Sequence, residues 1–274
     1  MTFTADDFYD FDIIRTWIDR HGDVIRRAEN DELVVIDNFL PREAAAHLRS
    51  LVLDETEWSR DRVDENIDTD DVAHEFEAST GPATSLFTRV AMALASSSDG
   101  CDALYPSFTA SRYSRAPGAD VVGDRIDVHD DFALSPVELA NGECEWNARR
   151  FAGVLYLTAD ADDAWTEADG GCFVDYGADA SDDEDKENKE ECVARRIVPA
   201  FNRFVLFAVP RKHAVEPVLT PSKPRHAIFG WWYAAATDEE IYAHVDDEME
   251  YYSSDDEDDE DDEDDEDDED DEEK

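Results

Sequence analysis

The second half of the sequence is a series of short runs rich in β-branched and aromatic residues, and it limits the fold more than any other feature. These runs are Phe108–Tyr113, Arg125–His129, Phe151–Leu157, Gly171–Tyr176, Ile197–Pro199, Arg203–Ala208, His213–Pro217 and Arg225–Tyr233. Glycine, proline and acidic residues separate them, including an acidic insertion at 178–191. Many short strands at this spacing predict a β-sandwich or barrel.

Helical patterns come before these strands. Apolar residues from 8 to 28 follow roughly helical spacing, with a break expected near Gly22. A strand is predicted over 32–37 and a helix after Pro41, since proline is tolerated in a first helical turn. Another helix is predicted over 84–96, whereas the charged stretch 54–82 is expected to be a loop region. The chain is therefore predicted to be mainly β with flanking helices.

The charge of the chain limits its partners. The net charge is −49 over 274 residues, and the last 20 residues hold an unbroken run of 19 acidic residues followed by one lysine. Without that segment the charge is still −31 over 254 residues. Such a field repels nucleic acid and anionic membranes and favours a basic protein partner. Adaptation to solubility or to high salt would produce the same composition, so both interpretations stay open.

The cysteines and the N-terminus bear on the compartment. Cys101, Cys144, Cys172 and Cys192 form no CxxC pair, which is typical of reduced thiols in the cytoplasm or nucleus. The acidic N-terminus has neither the basic nor the apolar segment of a signal peptide. No run approaches the roughly 18 apolar residues that a membrane helix needs. We expect a cytoplasmic or nuclear protein without membrane association.

A histidine and a carboxylate lie two residues apart at the end of one predicted strand. Alternate side chains of a strand share a face, so His129 and Asp131 would point the same way and Asp130 the opposite way. Asp127 shares the face of His129, so alternation does not choose between it and Asp131. Such a pair supplies two ligands of a 2-His-1-carboxylate iron site. The pair is also common by chance, as polar residues at a strand end.

Two later residues strengthen the iron interpretation. A buried strand over 203–208 leads through a turn to His213, which would complete the ligand set. Arg225 begins an aromatic strand twelve residues later. A buried arginine offers a planar fork for a carboxylate, such as the far end of 2-oxoglutarate.

These segments, in this order, resemble the prolyl 4-hydroxylase-type 2-oxoglutarate/Fe(II)-dependent dioxygenases. The resemblance runs from about residue 32 to 234 and is carried by the HxD at 129–131, the strand 151–158, the Asp-Gly-Gly turn 169–171, the segment His213–Pro217 and the segment 225–231. Three departures stand out. Phe229 replaces a small Ser or Thr, Thr158 replaces an Asn, and the gap between His213 and Arg225 is longer than usual.

The resemblance implies a fold and a site. The fold is a double-stranded β-helix core (jelly-roll, cupin-like) in a dioxygenase domain over 32–236, between an N-terminal helical extension 1–31 and an acidic disordered tail 237–274. The implied iron ligands are His129, Asp131 and His213, with Asp131 preferred over Asp127 because it completes the HxD order. The implied 2-oxoglutarate-binding residues are Arg225, Tyr156 and Tyr113.

The implied function is hydroxylation of a C–H bond. The cofactors would be Fe(II), 2-oxoglutarate and O₂, with ascorbate as a further candidate. The resemblance favours a peptidyl proline of a protein substrate, and the charge favours a basic one. Two alternatives stay open: a small-molecule or free amino-acid hydroxylase, and a non-catalytic acidic protein that binds basic partners. His226 is expected to serve packing or to lie at the surface, Trp231 and Trp232 to pack in the core or at an edge, and Trp165 to anchor a turn.

Overall fold

The computed structural model describes residues 3–63, 72–97, 104–118, 121–138, 144–177 and 194–243. Its α-helices are α1 (Phe11–Ile18), α2 (Val24–Glu29), α3 (Arg42–Leu53) and α4 (Pro82–Ser97). Its strands are β1 (Val34–Ile36), β2 (Ser59–Val63), β3 (His74–Ser79), β4 (Tyr105–Tyr113), β5 (Arg125–His129), β6 (Leu134–Glu138), β7 (Cys144–Tyr156), β8 (Phe173–Gly177), β9 (Arg195–Ile197), β10 (Phe204–Ala208), β11 (Lys212–Val215) and β12 (Arg225–Ala235). Short 3-10 helices lie at Ala5–Tyr9, Asp19–His21, Ala161–Asp163 and Glu167–Asp169.

The strands form one antiparallel sheet that carries the site. Its order is β1-β10-β7-β12-β4-β3-β5-β11-β8-β9, with β2 added beside β3 and β6 beside β7. The long strand β12 lies between β4 and β7, and Gly230 faces Gly153 across the β12–β7 pair. Residues of β2 to β5, β7, β8 and β10 to β12 line one common cavity, so the sheet curls around it.

The helices cover the outer face of this sheet. The ring of Trp232 in β12 packs edge-on against Phe108, and its indole N–H donates to the Ala91 carbonyl of α4. Phe87 of α4 contacts Phe204 of β10 within the same apolar cluster. Helices α1 and α2 bury their apolar residues in this cluster as well. The strands are thus held from outside by an apolar core, and the inner face is left for the cavity.

Most of the predicted elements are confirmed. Each of the eight predicted strands has a counterpart, with β4, β7 and β12 longer than expected. The predicted N-terminal helix is broken, and Gly22 has a φ of 73° where α1 and α2 separate. The strand over 32–37 and the helices α3 and α4 also lie where the sequence predicts them. Strand β6, which pairs with β7, was not predicted.

The expectation of a loop region over 54–82 is wrong. Strands β2 and β3 pair there as a hairpin, and β3 also pairs with β4 and β5. The acidic insertion at 178–191 lies outside the described residues.

Residues after Ala235 form a second unit. Of this unit the structure describes 236–243, which contain one helical turn. The backbone N–H of Thr237 donates to the Glu240 carboxylate, and the backbone N–H of Glu240 donates back to the Thr237 hydroxyl. In the described part of the whole chain, no helix is both long and apolar enough to cross a bilayer.

Candidate metal centre and co-substrate pocket

A cavity of about 500 Å³ opens on the inner face of the curled sheet. His129, Asp131 and His213 line it together with Arg225 and Tyr113. Five of the six residues predicted to form the site therefore surround one space. Tyr156 lies next to it, fully buried, with its ring centroid 5.0 Å from the Arg225 guanidinium carbon.

Three side chains form a compact group at one side of this cavity. The Nε2 atom of His129 lies 3.3 Å from Oδ1 of Asp131, and Nε2 of His213 lies 3.5 Å from Oδ2 of the same carboxylate. One potential ligand atom from each residue lies within 4.8 Å of the other two. Ligands of a transition metal at about 2.1 Å and right angles are separated by about 3 Å. The group therefore has the dimensions of three adjacent positions around one metal ion.

Neighbouring strands bring the two histidines together. His129 ends β5 and is the direct cross-strand partner of His213 in β11, and their ring centroids lie 4.1 Å apart. Backbone carbonyls fix both rings, because Nδ1 of His129 lies 2.9 Å from the Asp127 oxygen and Nδ1 of His213 lies 2.7 Å from the Arg211 oxygen. A carbonyl only accepts, so each Nδ1 is the protonated nitrogen. Each Nε2 is thus left free as a metal ligand.

Asp131 reaches the group by a different route from the one the sequence suggested. Strand β5 ends at His129, and Asp131 has a φ of 65°, in the left-handed region. The turn after the strand, and not strand alternation, therefore brings its carboxylate beside the histidines. Arg149 of β7 holds this turn by donating from Nη1 to the Asp131 carbonyl at 3.2 Å.

The two other acidic residues of this segment are occupied elsewhere. Asp127 accepts from Nε of Arg125 at 3.2 Å, and 47% of its side chain is exposed. Asp130 accepts the backbone N–H of Phe132. Of the three aspartates in the segment, Asp131 is the one grouped with both histidines.

The ionisation of the group suits a metal ion. Burial raises the pKa of Asp131, but the two histidines, together with a hydrogen bond from Trp231, outweigh it and hold the pKa at about 2. Burial lowers the pKa of His213 to about 4, against the attraction of Asp131. Burial also lowers the pKa of His129, but the adjacent Asp131 carboxylate leaves it raised overall. At neutral pH the group therefore contains a carboxylate and a neutral His213, which are the forms that bind metals.

Arg225 occupies the inner part of the cavity. It begins β12, is 2% exposed, and has a guanidinium carbon 4.5 Å from the ring centroid of Tyr113 and 5.0 Å from that of Tyr156. Among the described residues no carboxylate forms an ion pair with it, and its Nε atom has no hydrogen-bond partner. A buried charge without a counter-charge is costly, so this position calls for an anion.

The two tyrosines provide neutral polar groups next to this arginine. Burial raises the pKa of both phenols, against the nearby charge of Arg225. The buried hydroxyl of Tyr156 lies against the Arg225 guanidinium, and no acceptor among the described residues takes its proton. A neutral hydroxyl donates to an anion, so the inner part of the cavity combines a fixed positive charge with an unused donor.

The Asp-Gly-Gly turn packs directly against this arginine. Trp165 anchors the turn, as predicted, by donating from its indole nitrogen to the Gly170 carbonyl at 2.8 Å. Gly171 has a φ of 64°, and a Cβ atom there would lie 3.0 Å from Cδ of Arg225. The glycine is therefore required both for the backbone conformation and for the space that Arg225 occupies.

The structure also brings residues to the cavity that the sequence did not indicate. Trp231 lines it instead of serving only as packing, whereas Trp232 lies in the core as predicted. The guanidinium carbon of Arg149 stacks 3.7 Å from the Trp231 ring centroid. Nε of Arg149 is buried and has no hydrogen-bond partner in the described part of the chain, whereas the buried indole nitrogen of Trp231 is directed at the Asp131 carboxylate. No local pattern in β7 distinguishes Arg149 from the adjacent Arg150, so nothing in the sequence indicated it.

A hairpin residue that the sequence did not connect with the site also reaches the cavity. His74 of β3 lines it, with Nδ1 2.7 Å from the Val72 carbonyl and Nε2 3.0 Å from Asp61 of β2. His226, in contrast, is buried behind the sheet beside Trp58, which confirms that it is not grouped with the triad.

A family model matches part of the chain. Residues 123–233 match the model described as the 2OG-Fe(II) oxygenase superfamily. This part of the chain is therefore similar to the members of that superfamily. The matched segment contains His129, Asp131, His213 and Arg225. No curated protein sequence matches the chain.

Solved structures of the superfamily's fold are similar to this chain at low identity. A prolyl hydroxylase from Trichoplax adhaerens, in complex with a hypoxia inducible factor oxygen degradation domain peptide fragment, is 15% identical with a TM-score of 0.53, and the match covers 86% of this chain and 97% of that one. A Pseudomonas putida prolyl-4-hydroxylase is 17% identical with a TM-score of 0.48, covering 78% and 98%. The nogalamycin-biosynthesis epimerase SnoN is 12% identical with a TM-score of 0.47, covering 77% and 79%. The curled antiparallel sheet and the first of these likenesses confirm the predicted jelly-roll core.

Proposed function

We propose that this chain is a member of the 2OG-Fe(II) oxygenase superfamily and an Fe(II)- and 2-oxoglutarate-dependent dioxygenase that hydroxylates a C–H bond. His129, Asp131 and His213 would hold the iron, and Arg225 would bind the far carboxylate of 2-oxoglutarate. The observation that carries the proposal is one cavity that contains both a buried two-histidine, one-carboxylate group and a buried arginine without an acidic partner. Iron bound there, with 2-oxoglutarate and O₂, supplies the oxidation of the C–H bond, with succinate and CO₂ as co-products.

The donor set fits iron. Two imidazoles and one carboxylate on adjacent positions are the ligands of non-haem Fe(II) oxygenases, which leave the remaining positions open. Backbone carbonyls orient both imidazoles through Nδ1, as metal-binding histidines require. The low pKa of Asp131 keeps its carboxylate ionised over the whole physiological range.

The inner part of the cavity fits 2-oxoglutarate. The guanidinium of Arg225 supplies a fixed fork for a carboxylate, and the hydroxyl of Tyr156 supplies one more donor. The rings of Tyr113 and Tyr156 also lie against the guanidinium, which is almost fully buried. The apolar walls around this end, such as Phe229, strengthen the attraction between the arginine and a carboxylate.

For the substrate we propose a peptidyl proline in a basic protein. Arg149 presents a buried donor beside Asp131, its Nε atom, that has no partner among the described residues, and a peptide carbonyl is an acceptor that suits it. The peptide complex of the Trichoplax adhaerens prolyl hydroxylase supports a protein substrate for this chain. The net charge of −49 supports a basic one.

A small molecule that carries a carboxylate is the second candidate. The guanidinium of Arg149 would bind a free carboxylate as readily as a carbonyl, and among the described residues no acidic side chain pairs with it. Free amino acids belong to this class.

The proposed compartment is the cytoplasm or the nucleus. Of the cysteines in the described part of the chain, Cys144 and Cys172 are both free thiols, which supports a reducing compartment.

The test is succinate formation from 2-oxoglutarate with Fe(II) and ascorbate, measured with a panel of proline-containing basic peptides and with free amino acids. We expect ascorbate to sustain turnover. The product peptide should gain one oxygen by mass spectrometry, and His129→Ala and Asp131→Ala should abolish both signals. A wild-type protein that forms no succinate, with or without substrate, and retains no iron would contradict the dioxygenase proposal. If free amino acids were turned over and peptides were not, the small-molecule candidate would be correct and the protein substrate would be wrong.

A further inference from the structure

Arg211 touches both ligand-bearing segments through its backbone. It lies between β10 and β11, two residues before His213. Its N–H donates to the Asp130 carbonyl at 3.2 Å, in the turn that carries Asp131. Its carbonyl accepts the Nδ1–H of His213 at 2.7 Å. The backbone of residue 211 therefore holds the turn that carries Asp131 and also fixes the ring orientation of His213.

The side chain of Arg211 is fixed from the other direction. Its Nε and Nη2 atoms donate to the two oxygens of Asp175 at 2.6 and 3.0 Å, and both side chains are buried. Asp175 lies on β8, directly across from His213 in the β8–β11 pair. Nη1 of Arg211 donates to Oδ1 of Asp31, in the turn after α2, at 2.9 Å. The guanidinium is thus held at three points.

We propose that Arg211 is a positioning residue for the metal centre, and that Asp175 holds it in place through the bidentate ion pair. This inference rests on the proposed function, because it takes the triad to be a metal site. The pair fixes the guanidinium, the guanidinium fixes the backbone of residue 211, and that backbone orients His213 and the Asp131 turn. Asp31 adds a weaker hold from the N-terminal segment.

Stability alone accounts poorly for such a pair. Burying two charges carries a desolvation cost that their attraction often fails to exceed, so an apolar pair would serve the core as well. An apolar pair would not fix the position of the residue 211 carbonyl. Groups that orient metal-binding histidines commonly change metal affinity by 10- to 100-fold when they are lost.

The experiment compares full-length wild type with Asp175→Asn, which keeps the shape of the side chain and removes the charge. Co(II) binding is followed by its visible absorption spectrum, with His129→Ala as the background for ions bound by the acidic C-terminal run. We expect Asp175→Asn to bind Co(II) about 10- to 100-fold more weakly, with a changed spectrum. Arg211→Lys should do the same, because lysine lacks the bidentate fork.

The matched control is Asp37→Asn. Asp37 accepts from Arg203 at 2.6 Å and also joins the N-terminal segment to the sheet, but the arginine in this pair contacts no ligand segment. Its Co(II) affinity should stay within twofold of wild type. Urea unfolding of all variants in EDTA measures their stability without metal. If the Arg211–Asp175 pair only stabilised the fold, Asp175→Asn would lower this stability without changing the Co(II) spectrum.

Each outcome decides a different claim. Wild-type affinity and spectrum in a folded Asp175→Asn would overturn the positioning role and leave the proposed function intact. A wild-type protein that binds Co(II) no better than His129→Ala would overturn the proposed function itself. If Asp175→Asn does not fold, Asp31→Asn decides, because 63% of the Asp31 side chain is exposed. It should weaken Co(II) binding several-fold, and unchanged binding would overturn the inference.

Discussion

The guanidinium of Arg225 is a charge that the described residues leave unbalanced, so its replacement should affect one ligand only. We expect Arg225→Gln to raise the KM for 2-oxoglutarate by roughly 10- to 100-fold, since a hydrogen bond between charged groups contributes about 1.5–3 kcal/mol. Co(II) affinity should not change, because Arg225 is not grouped with the triad. Succinate formation at varied 2-oxoglutarate concentration measures the KM. An unchanged KM would remove Arg225 from the co-substrate site.

His226 should make the stability of the fold depend on pH. Burial, assisted by the charges of Arg112 and Arg49, lowers the pKa of His226 to about 4, against the attraction of Glu77. Between pH 6.5 and 4 the unfolded chain binds a proton that the folded chain does not, so stability falls as the pH falls. We expect a loss of about 2 kcal/mol from this residue between pH 7 and pH 5.

The measurement is urea unfolding of wild type and His226→Asn at both pH values. Comparing the two proteins removes the contribution of the many carboxylates, which titrate in both. The variant should lose about 2 kcal/mol less than wild type on acidification. Equal losses in the two proteins would show that His226 binds its proton equally in the folded and unfolded states.

Single residues also show how far a sequence can indicate a site. His129, Asp131, His213 and Arg225 could be chosen because they follow one another in the order of the family's motifs, with His213 and Arg225 in recognisable strands. The reason given for Asp131 was wrong, because its left-handed turn depends on the hold of Arg149 from another strand. Arg149 itself carries no local pattern. Its place in the cavity follows from the pairing of β7 with β12, which is a long-range fact.

Among the elements, the β2–β3 hairpin forms part of the cavity wall, and an ion-pair cluster adds to the backbone pairing that holds it. Arg60 of β2 donates to both oxygens of Asp124, at 3.1 and 2.7 Å, and also binds Glu75 of β3. Asp124 is buried and accepts the Ser114 N–H as well. Arg60 therefore links β2, which pairs only with β3 among the described strands, to the turn region beside β5.

We expect Arg60→Ala to raise amide hydrogen exchange by about tenfold in β2, and less in β3, since the Arg60 side chain links β2 to the turn region at Asp124. The KM for a peptide substrate should rise, because Asp61 and His74 line the cavity from this hairpin. Arg27→Ala, which breaks an exposed pair with Glu32 far from the hairpin, is the control. Unchanged exchange in the hairpin of Arg60→Ala would show that backbone pairing alone holds it.

This hairpin is also the element that the sequence did not predict. Strand β2 reads Ser-Arg-Asp-Arg-Val, without the alternation of apolar and polar residues that indicates a half-buried strand. It forms because β3 offers it a paired edge. Strand β3, in turn, has a buried Phe76 but charged neighbours, and its position comes from pairing with β4 and β5.

For the molecule as a whole, the net charge should govern how it meets its substrate. Opposite charges steer association, and salt screens this attraction within about 10 Å at 0.1 M. We expect the KM for a lysine- and arginine-rich peptide to rise about tenfold between roughly 50 and 500 mM NaCl. A neutral peptide with the same reactive residue is the control and should change little. If the KM values of both peptides depended equally on salt, the acidic composition would serve solubility and not the attraction of a basic substrate.

The architecture as a whole was the easiest property to predict. Short strands from 108 onward, flanking helices before them, and the order of motifs along the chain were sufficient for the jelly-roll core. The sequence did not indicate the strand order of the sheet. The cavity exists because β12 lies between β4 and β7. That order is decided by pairing between strands more than 60 residues apart.

The stacking of Arg149 on Trp231 has an optical consequence. The indole is fixed 3.7 Å from the guanidinium carbon and lines the same cavity as the triad. An open-shell ion such as Co(II) at the triad would quench its emission, whereas closed-shell Zn(II) would not. Trp232, buried in the core on the opposite face of β12, provides a constant signal. The protein thus contains its own fluorescent reporter of metal occupancy, and Trp231→Phe should silence it.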